Sequence, residues 1–339
     1  MLTGNRFIFI GLLTLVLHAG AAVSATTFKI ATVVPDGSYW MQQFRETAKL
    51  IQDKTQGRVT FKFYPGGVMG NDSSVLRKMR AGQLQGGTFT SGSLSDIYPD
   101  LQVYSVPLAF RSFEEVDYVR QRMDDQLRQG MEARGYILAG ISEGGFAYMM
   151  SNKPIHGISD LTGQKVWIPE GDRINQATFS AAGITPIPLP VADTYTGLQT
   201  GLIDTVATSP VGAIALQWHT KIQYVTDSPL VYITGILMLS KNVFDRLSVN
   251  DQQAVRTALD ETFERIEHQN RIDHKTAVEA LKNQGIRFIK PNSQDQITWH
   301  RIAEQVVDRL LNEGLFSRET FTLLQMHLAA FRTQTNAAR

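Results

Sequence analysis

Apolar and polar positions along the chain alternate in short runs separated by amphipathic stretches. Phe28 to Val34 is β-branched and predicts a strand, followed by the turn Pro35-Asp36-Gly37-Ser38. Phe44, Ala48 and Ile51 share one helical face that ends before Gly57, and Ser38 can cap that helix. Val59 to Tyr64 alternates as a second strand, a helix is predicted over 72–81, and Gly86 to Thr90 reads as a third, small-residue strand. This β-α-β-α-β order predicts a mostly parallel sheet covered by helices. The same logic recurs later. Strands are expected at Tyr136 to Ile141, Phe146 to Ser151, Gln164 to Pro169, Ile187 to Leu189, Thr205 to Thr208 and Ile286 to Ile289. Helices are expected over 174–182 and 194–200, and two more close the chain. From Ser248 or Asn250 to Asn283 no Gly or Pro interrupts a helical pattern. At 1.5 Å per residue such a helix is about 50 Å long, which outruns one small domain.

The first 25 residues change the picture of where the chain works. Arg6 precedes an apolar run from Phe7 to Leu17, and Val23-Ser24-Ala25 supplies small residues where a signal peptidase reads. The run is short for a membrane span, which needs about 20 apolar residues. Cleavage after Ala25 removes one charge and leaves 32 basic and 32 acidic groups. A chain so balanced, exported to the periplasm, carries no electrostatic footprint for nucleic acid. With no cysteine there is no disulfide, thiolate nucleophile or Cys-based zinc site. His268 and His274 lie six apart on one predicted helix, which is not a metal-binding spacing. Gly66-Gly67 and Gly86-Gly87 are followed by no Gly-Lys-Ser/Thr, and Ser91 and Ser209 sit in no nucleophile elbow. Neither a metal nor a cofactor is expected, and enzymatic activity has no positive support. A hydrolase or lyase on a similar frame stays as the alternative class and would need paired titratable groups.

Three stretches carry a resemblance to the DctP-type solute-binding proteins of TRAP transporters. They are Tyr64-Pro65-Gly66-Gly67-Val68-Met69-Gly70, Asp160 to Pro169, and Gly183 to Pro190 running on to Tyr195-Thr196-Gly197-Leu198-Gln199. The resemblance covers nearly the whole mature chain and implies an α/β fold of two periplasmic-binding-protein-like lobes, joined by hinge strands and a long helix that both lobes share. The lobes expected are 26–144 with about 233–272, and 145–232 with about 273–339. Hinge crossings are expected near Ser142 to Phe146 and Val231 to Ile236. The implied function is capture of a small ligand by lobe closure and its delivery to small and large membrane permease subunits.

The resemblance also places the site. The family fixes a ligand carboxylate with an arginine inside a Gly-x-Lys-x-Arg-x-Pro stretch, because a planar guanidinium suits a two-toothed carboxylate bridge. Trp167 holds that place here, and Ala147 holds the place of a second arginine. Other implied pocket positions are Asn71, Ser91, Glu170 and Val191, with Thr208 or Ser209 at the end of a short strand. Tyr39 and Trp40 follow the first strand, where α/β folds present ligand contacts. Phe146 and Tyr148 flank Ala147 on one side of their strand and are expected toward the cleft rather than the core. Losing both arginines turns an anion clamp into an apolar wall, so the expected ligand is neutral or hydrophobic rather than a simple carboxylate; the same clamp for an organic acid is the alternative. A subgroup of these transporters handles hydrophobic ligands with a tetratricopeptide partner, which the resemblance extends to this chain.

Overall fold

The computed structural model describes residues 25–337; all but the last residue of the expected signal peptide lies outside the described residues. The chain runs β1 (Thr26–Ala31), α1 (Tyr39–Lys54), β2 (Val59–Tyr64), α2 (Asp72–Arg80), β3 (Gly86–Thr90) and α3 (Phe113–Glu132). It continues through β4 (Tyr136–Ser151), β5 (Trp167–Pro169), α4 (Arg173–Ala181), β6 (Ile187–Leu189), α5 (Val191–Thr200), β7 (Thr205–Thr208) and α6 (Pro210–Ala215). It closes with β8 (Tyr224–Ser240), α7 (Lys241–Phe244), α8 (Val249–Asn283), β9 (Arg287–Ile289), α9 (Ser293–Asn312) and α10 (Arg318–Ala337). Side-chain oxygens of Ser38, Asn71, Ser112 and Ser248 accept the free backbone N–H groups that begin α1, α2, α3 and α8.

One sheet runs through both lobes in the order β2-β1-β3-β8-β4-β7, with β9 added beside β8, while β5 and β6 pair separately. The first three strands are parallel, as the alternating pattern predicts. The long strand β8 is antiparallel to both of its neighbours, β3 and β4, so the sheet is mixed. Each of them spans a stretch that the sequence divides: Pro229 and Gly235 lie inside β8, and Ser142 to Gly145 inside β4. Register shifts at Leu138/Gly140, Glu143/Gly145 and Ala147/Tyr148 absorb the extra residues. Such bulges bend and twist a strand pair without breaking it, which is what strands passing from one lobe to the other require.

The shared helix is present. Val255, Leu259, Phe263 and Ile266 of α8 join the first lobe's core beside Phe28, Ile30 and Phe44, whereas Leu281 joins the second lobe's core with Met150 and Val206. α8 packs on α1 in the first lobe and on α6 in the second. The Phe263 ring lies so close to Gly140 that a Cβ there would come within 2.0 Å of it, so β4 can lie against α8 only with glycine at this point. Residues 318–337, grouped with the second lobe on the sequence pattern, pack instead on the first. Leu324 and Leu328 of α10 enter the core that holds Val116 and Val119 of α3. The Arg332 guanidinium donates to Glu115, and Asp100 accepts from Ser317 and Thr320. α3 itself carries no assignment from the sequence, so its groove was not available as a partner for the last helix.

Candidate functional site

A cavity of about 230 Å³ lies between the lobes. The first lobe contributes Val33, Val34 and the segment Thr88 to Gly92 at the carboxyl ends of β1 and β3, and α1 adds Trp40 and Phe44. Ser142, Glu143, Gly144 and Ala147 of β4, with Val231 to Leu237 of β8, form the hinge wall. The second lobe supplies Trp167 to Pro169, Asp172, Val191, Thr208, Ser209 and Trp218.

Of the positions expected from sequence, this geometry brings together Trp40, Ser91, Ala147, Trp167, Val191, Thr208 and Ser209. Trp167 is both wall and core. It is 4% exposed, meets Trp218 edge to face at 5.0 Å between ring centroids, and donates its indole N–H to the Leu189 carbonyl at 3.0 Å. That donor is therefore spent on tying β5 to β6. Trp40 likewise donates to Asn270 at 2.7 Å. Ser91 shares a hydrogen bond with Ser105, and Ser209 caps α6 by accepting from Gly212 N–H.

Five expected positions lie elsewhere. Phe146 packs against Phe113 and Tyr232 with ring centroids 5.1 and 5.6 Å apart, and Tyr148 faces His274. The register shifts around Glu143 and Ala147 break simple alternation, and Ala147 lines the cavity while its two neighbours do not. Tyr39 is on the outer surface beside Glu261 and His268. Asn71 sits at the mouth, where its amide donates to Glu170 across the cleft at 3.1 Å. Asn71 and Glu170 thus join the lobes rather than line the cavity. Gly92 does both, since its missing side chain leaves room for the Asp172 backbone. A Cβ on Gly92 would come within 3.1 Å of Asp172 Cα.

The site's electrostatics are one-sided. Among the described residues no Lys, Arg or His lines the cavity, whereas Asp72, Glu143 and Asp172 do. Glu143, 1% exposed, is neutralised by Arg271 of α8 at 2.6 Å and also accepts from the Tyr232 hydroxyl at 3.2 Å. Arg271 reaches Asp117 and Glu267 as well, and hydrogen bonds donated to Asp117 and Glu143 hold its pKa above the usual value against the cost of burial. The adjacent Asn270 donates to the Glu143 backbone carbonyl at 2.7 Å. The shared helix therefore grips the hinge at one residue through both backbone and side chain. None of this was legible as a site in the sequence; only the hinge register places Glu143 opposite Arg271.

Asp172 caps α4, accepting from the Asn175 N–H at 3.0 Å and the Asn175 amide at 2.6 Å. Burial raises its pKa despite these bonds. A folded-state pKa above the unfolded value means a contribution that is complete below the ordinary 3.8 and lost as pH rises through the folded pKa. Asp172→Asn keeps a good capping side chain. It is therefore expected to melt higher than the parent at pH 7, with the difference vanishing below pH 3.8; equal melting temperatures at neutral pH would contradict this.

The comparisons with known proteins agree with the architecture. The family model described as bacterial extracellular solute-binding protein, family 7, matches residues 30–313. The chain is 24% identical over 249 residues to the 2,3-diketo-L-gulonate-binding periplasmic protein of Escherichia coli, covering 71% of this chain and 74% of that one. It is 22% identical over 304 residues to the C4-dicarboxylate-binding periplasmic protein of Rhodobacter capsulatus, covering 88% and 90%. A TRAP periplasmic solute-binding protein from Desulfovibrio salexigens, solved with orotic acid, superposes with a TM-score of 0.82 at 21% identity over 90% of this chain and 99% of that one. These are binding proteins, not enzymes, and the cavity lies between the lobes of a fold that theirs matches. The chain belongs to the bacterial extracellular solute-binding proteins of family 7, the periplasmic solute receptors of TRAP transporters.

Proposed function

We propose that this receptor captures a small neutral or hydrophobic solute, rather than a simple carboxylate, by closing its lobes over the cavity and handing the solute to the membrane permease. The observation that carries the reading is the absence of any basic side chain among the described cavity-lining residues. A carboxylate enclosed there without a cation would cost several kcal/mol. The two cations closest in sequence to Trp167 point away from this task. Arg173 lies at the mouth near Glu313, and Lys165 donates to the Gly201 carbonyl. The relatives named for dicarboxylate, diketogulonate and orotic acid therefore indicate the fold and the mode of capture rather than the ligand chemistry. Export with cleavage after Ala25, lobes pivoting near residues 144 and 232, and a tetratricopeptide partner for the hydrophobic-ligand case belong to the same proposal.

Closure is what the experiment reads. Ligand-loaded protein is expected to scatter with a smaller radius of gyration than protein stripped by unfolding and refolding, because a ligand favours the state in which it makes more contacts. Gly92→Val places a side chain against the Asp172 backbone where the lobes meet. It is expected to stay extended and to bind at least tenfold more weakly, with an unchanged circular dichroism spectrum. One radius for all three samples would refute the clamp. A co-purified simple carboxylate, identified by mass spectrometry, would refute the ligand class.

A further inference from the structure

Resting on that reading of the cavity, in its hydrophobic rather than its strictly neutral form, we infer that the solute is a compact hydrophobic body carrying one cationic nitrogen, an ammonium or amidinium group, recognised by the Asp72 and Asp172 carboxylates and by the indole walls. Four observations lead there. First, the cavity's ionisable lining is acidic only, and Glu143 is already matched by Arg271. Second, Asp72 and Asp172 take part in no salt bridge among the described residues. Asp172 accepts from the N–H groups that begin α4 and from the Asn175 amide, and Asp72 from the Ser93 side chain and, at 3.5 Å, the Thr90 N–H; all of these donors are uncharged. Burial raises the pKa of both carboxyls, which is the direction expected of acids lacking a counter-charge. Third, both acids adjoin the turn that follows β3, Asp72 at Thr90 and Asp172 at Gly92, one from each lobe, so closure brings them to one end of the cavity.

The fourth observation is the aromatic lining. Trp40, Trp167 and Trp218 all border the cavity. The N–H groups of Trp40 and Trp167 are used inside the protein, so these two rings offer the cavity their carbon surface and no donor. Aromatic faces attract cations through the ring quadrupole, and more strongly where water is excluded. The hydroxyls of Thr208 and Thr234 also line the cavity; both residues are more than nine-tenths buried, and neither hydroxyl has a hydrogen-bond partner among the described residues. They are free to accept from an N–H or O–H of the solute. An anion would face two like charges here. A purely apolar solute would leave two carboxylates without a counter-charge and two hydroxyls without a partner. A cation on a compact organic body answers each of them.

The test uses the mature chain, stripped of ligand by unfolding and refolding, with matched probes. Choline and its neutral isostere 3,3-dimethyl-1-butanol, benzylamine and benzyl alcohol, and succinate and galacturonate are titrated by calorimetry and thermal shift. The expected result is that an ammonium probe binds at least tenfold tighter than its neutral isostere. Asp72→Asn and Asp172→Asn should each lower that affinity tenfold or more while leaving the isostere unchanged. Affinity of the parent protein for the cation should fall as pH drops and the carboxylates protonate. Equal binding of cation and isostere, indifferent to both substitutions, overturns the cationic inference and leaves the reading of a neutral or hydrophobic ligand standing. Binding by the carboxylates alone overturns both. Failure of every ammonium probe to bind overturns the inference as well.

Discussion

Replacing Trp167 by alanine is expected to cost about 3–5 kcal/mol of folding stability, the range for truncating a buried aromatic. An indole that faced only the cleft could be removed at little cost to the fold. This one is 4% exposed, sits in a core with Met150, Leu198 and Trp218, and ties β5 to β6 through the Leu189 carbonyl. Truncation removes the packing and one of the two hydrogen bonds to that carbonyl, leaving it the Glu170 backbone N–H at 3.2 Å. Urea unfolding of the ligand-free protein measures the loss, and a change below about 1 kcal/mol would show that the ring is a removable cavity wall. Trp167→Phe keeps most of the packing and should fall between the two. It is the better variant for reading the indole's share of solute binding, because its fold is less compromised.

Arg271→Met is expected to destabilise by about 3–5 kcal/mol, because it strands a buried carboxylate at the hinge. Glu143 is 1% exposed and its main compensation is the Arg271 guanidinium, at 2.6 Å. Asp117 and Glu267 lose the same partner, although Arg120 still reaches Glu267 at 3.0 Å. Removing both partners should cost much less than removing one, since the penalty belongs to the uncompensated charge. The double variant Arg271→Met with Glu143→Gln should therefore recover most of the loss in urea unfolding. A double variant no more stable than the single would mean that Arg271 acts through Asp117 and its packing over the Phe113 ring rather than through the hinge.

The lobes' strands and helices were largely legible because their signals are local. β1, β2 and β3 carry β-branched or small-residue runs bounded by Gly and Pro, and α8 runs from a serine cap to Asn283 without a breaker. A 35-residue helix joined to both cores follows from its length alone. α3 carries a local signal as well: Val116, Val119, Met123, Leu127 and Met131 recur at helical spacing behind the Ser112 cap. The last helix, expected in the second lobe, packs on α3 in the first, a partner that its own sequence does not reveal.

Tertiary structure decided the rest, for identifiable reasons. Side-chain alternation along β4 assumes an unbroken pleat, and the bulges near Glu143 and Ala147 are set by pairing with a strand some ninety residues away. Phe146 and Tyr148 were expected in the cavity on that alternation, and both face other neighbours. The pairing of Asn71 with Glu170 and the approach of Asp172 to Gly92 depend on how two lobes meet. The sequence by itself determined that the chain would form two α/β lobes sharing a helix, and that the places of two arginines would hold Trp167 and Ala147, because periodicity and residue identity are properties of the linear chain. Which charges remained in the cavity was decided only by folding. Arg271 reaches Glu143 from 128 residues away and leaves Asp72 and Asp172 without a basic partner, since neutralisation depends on distances of a few ångströms that no local pattern encodes.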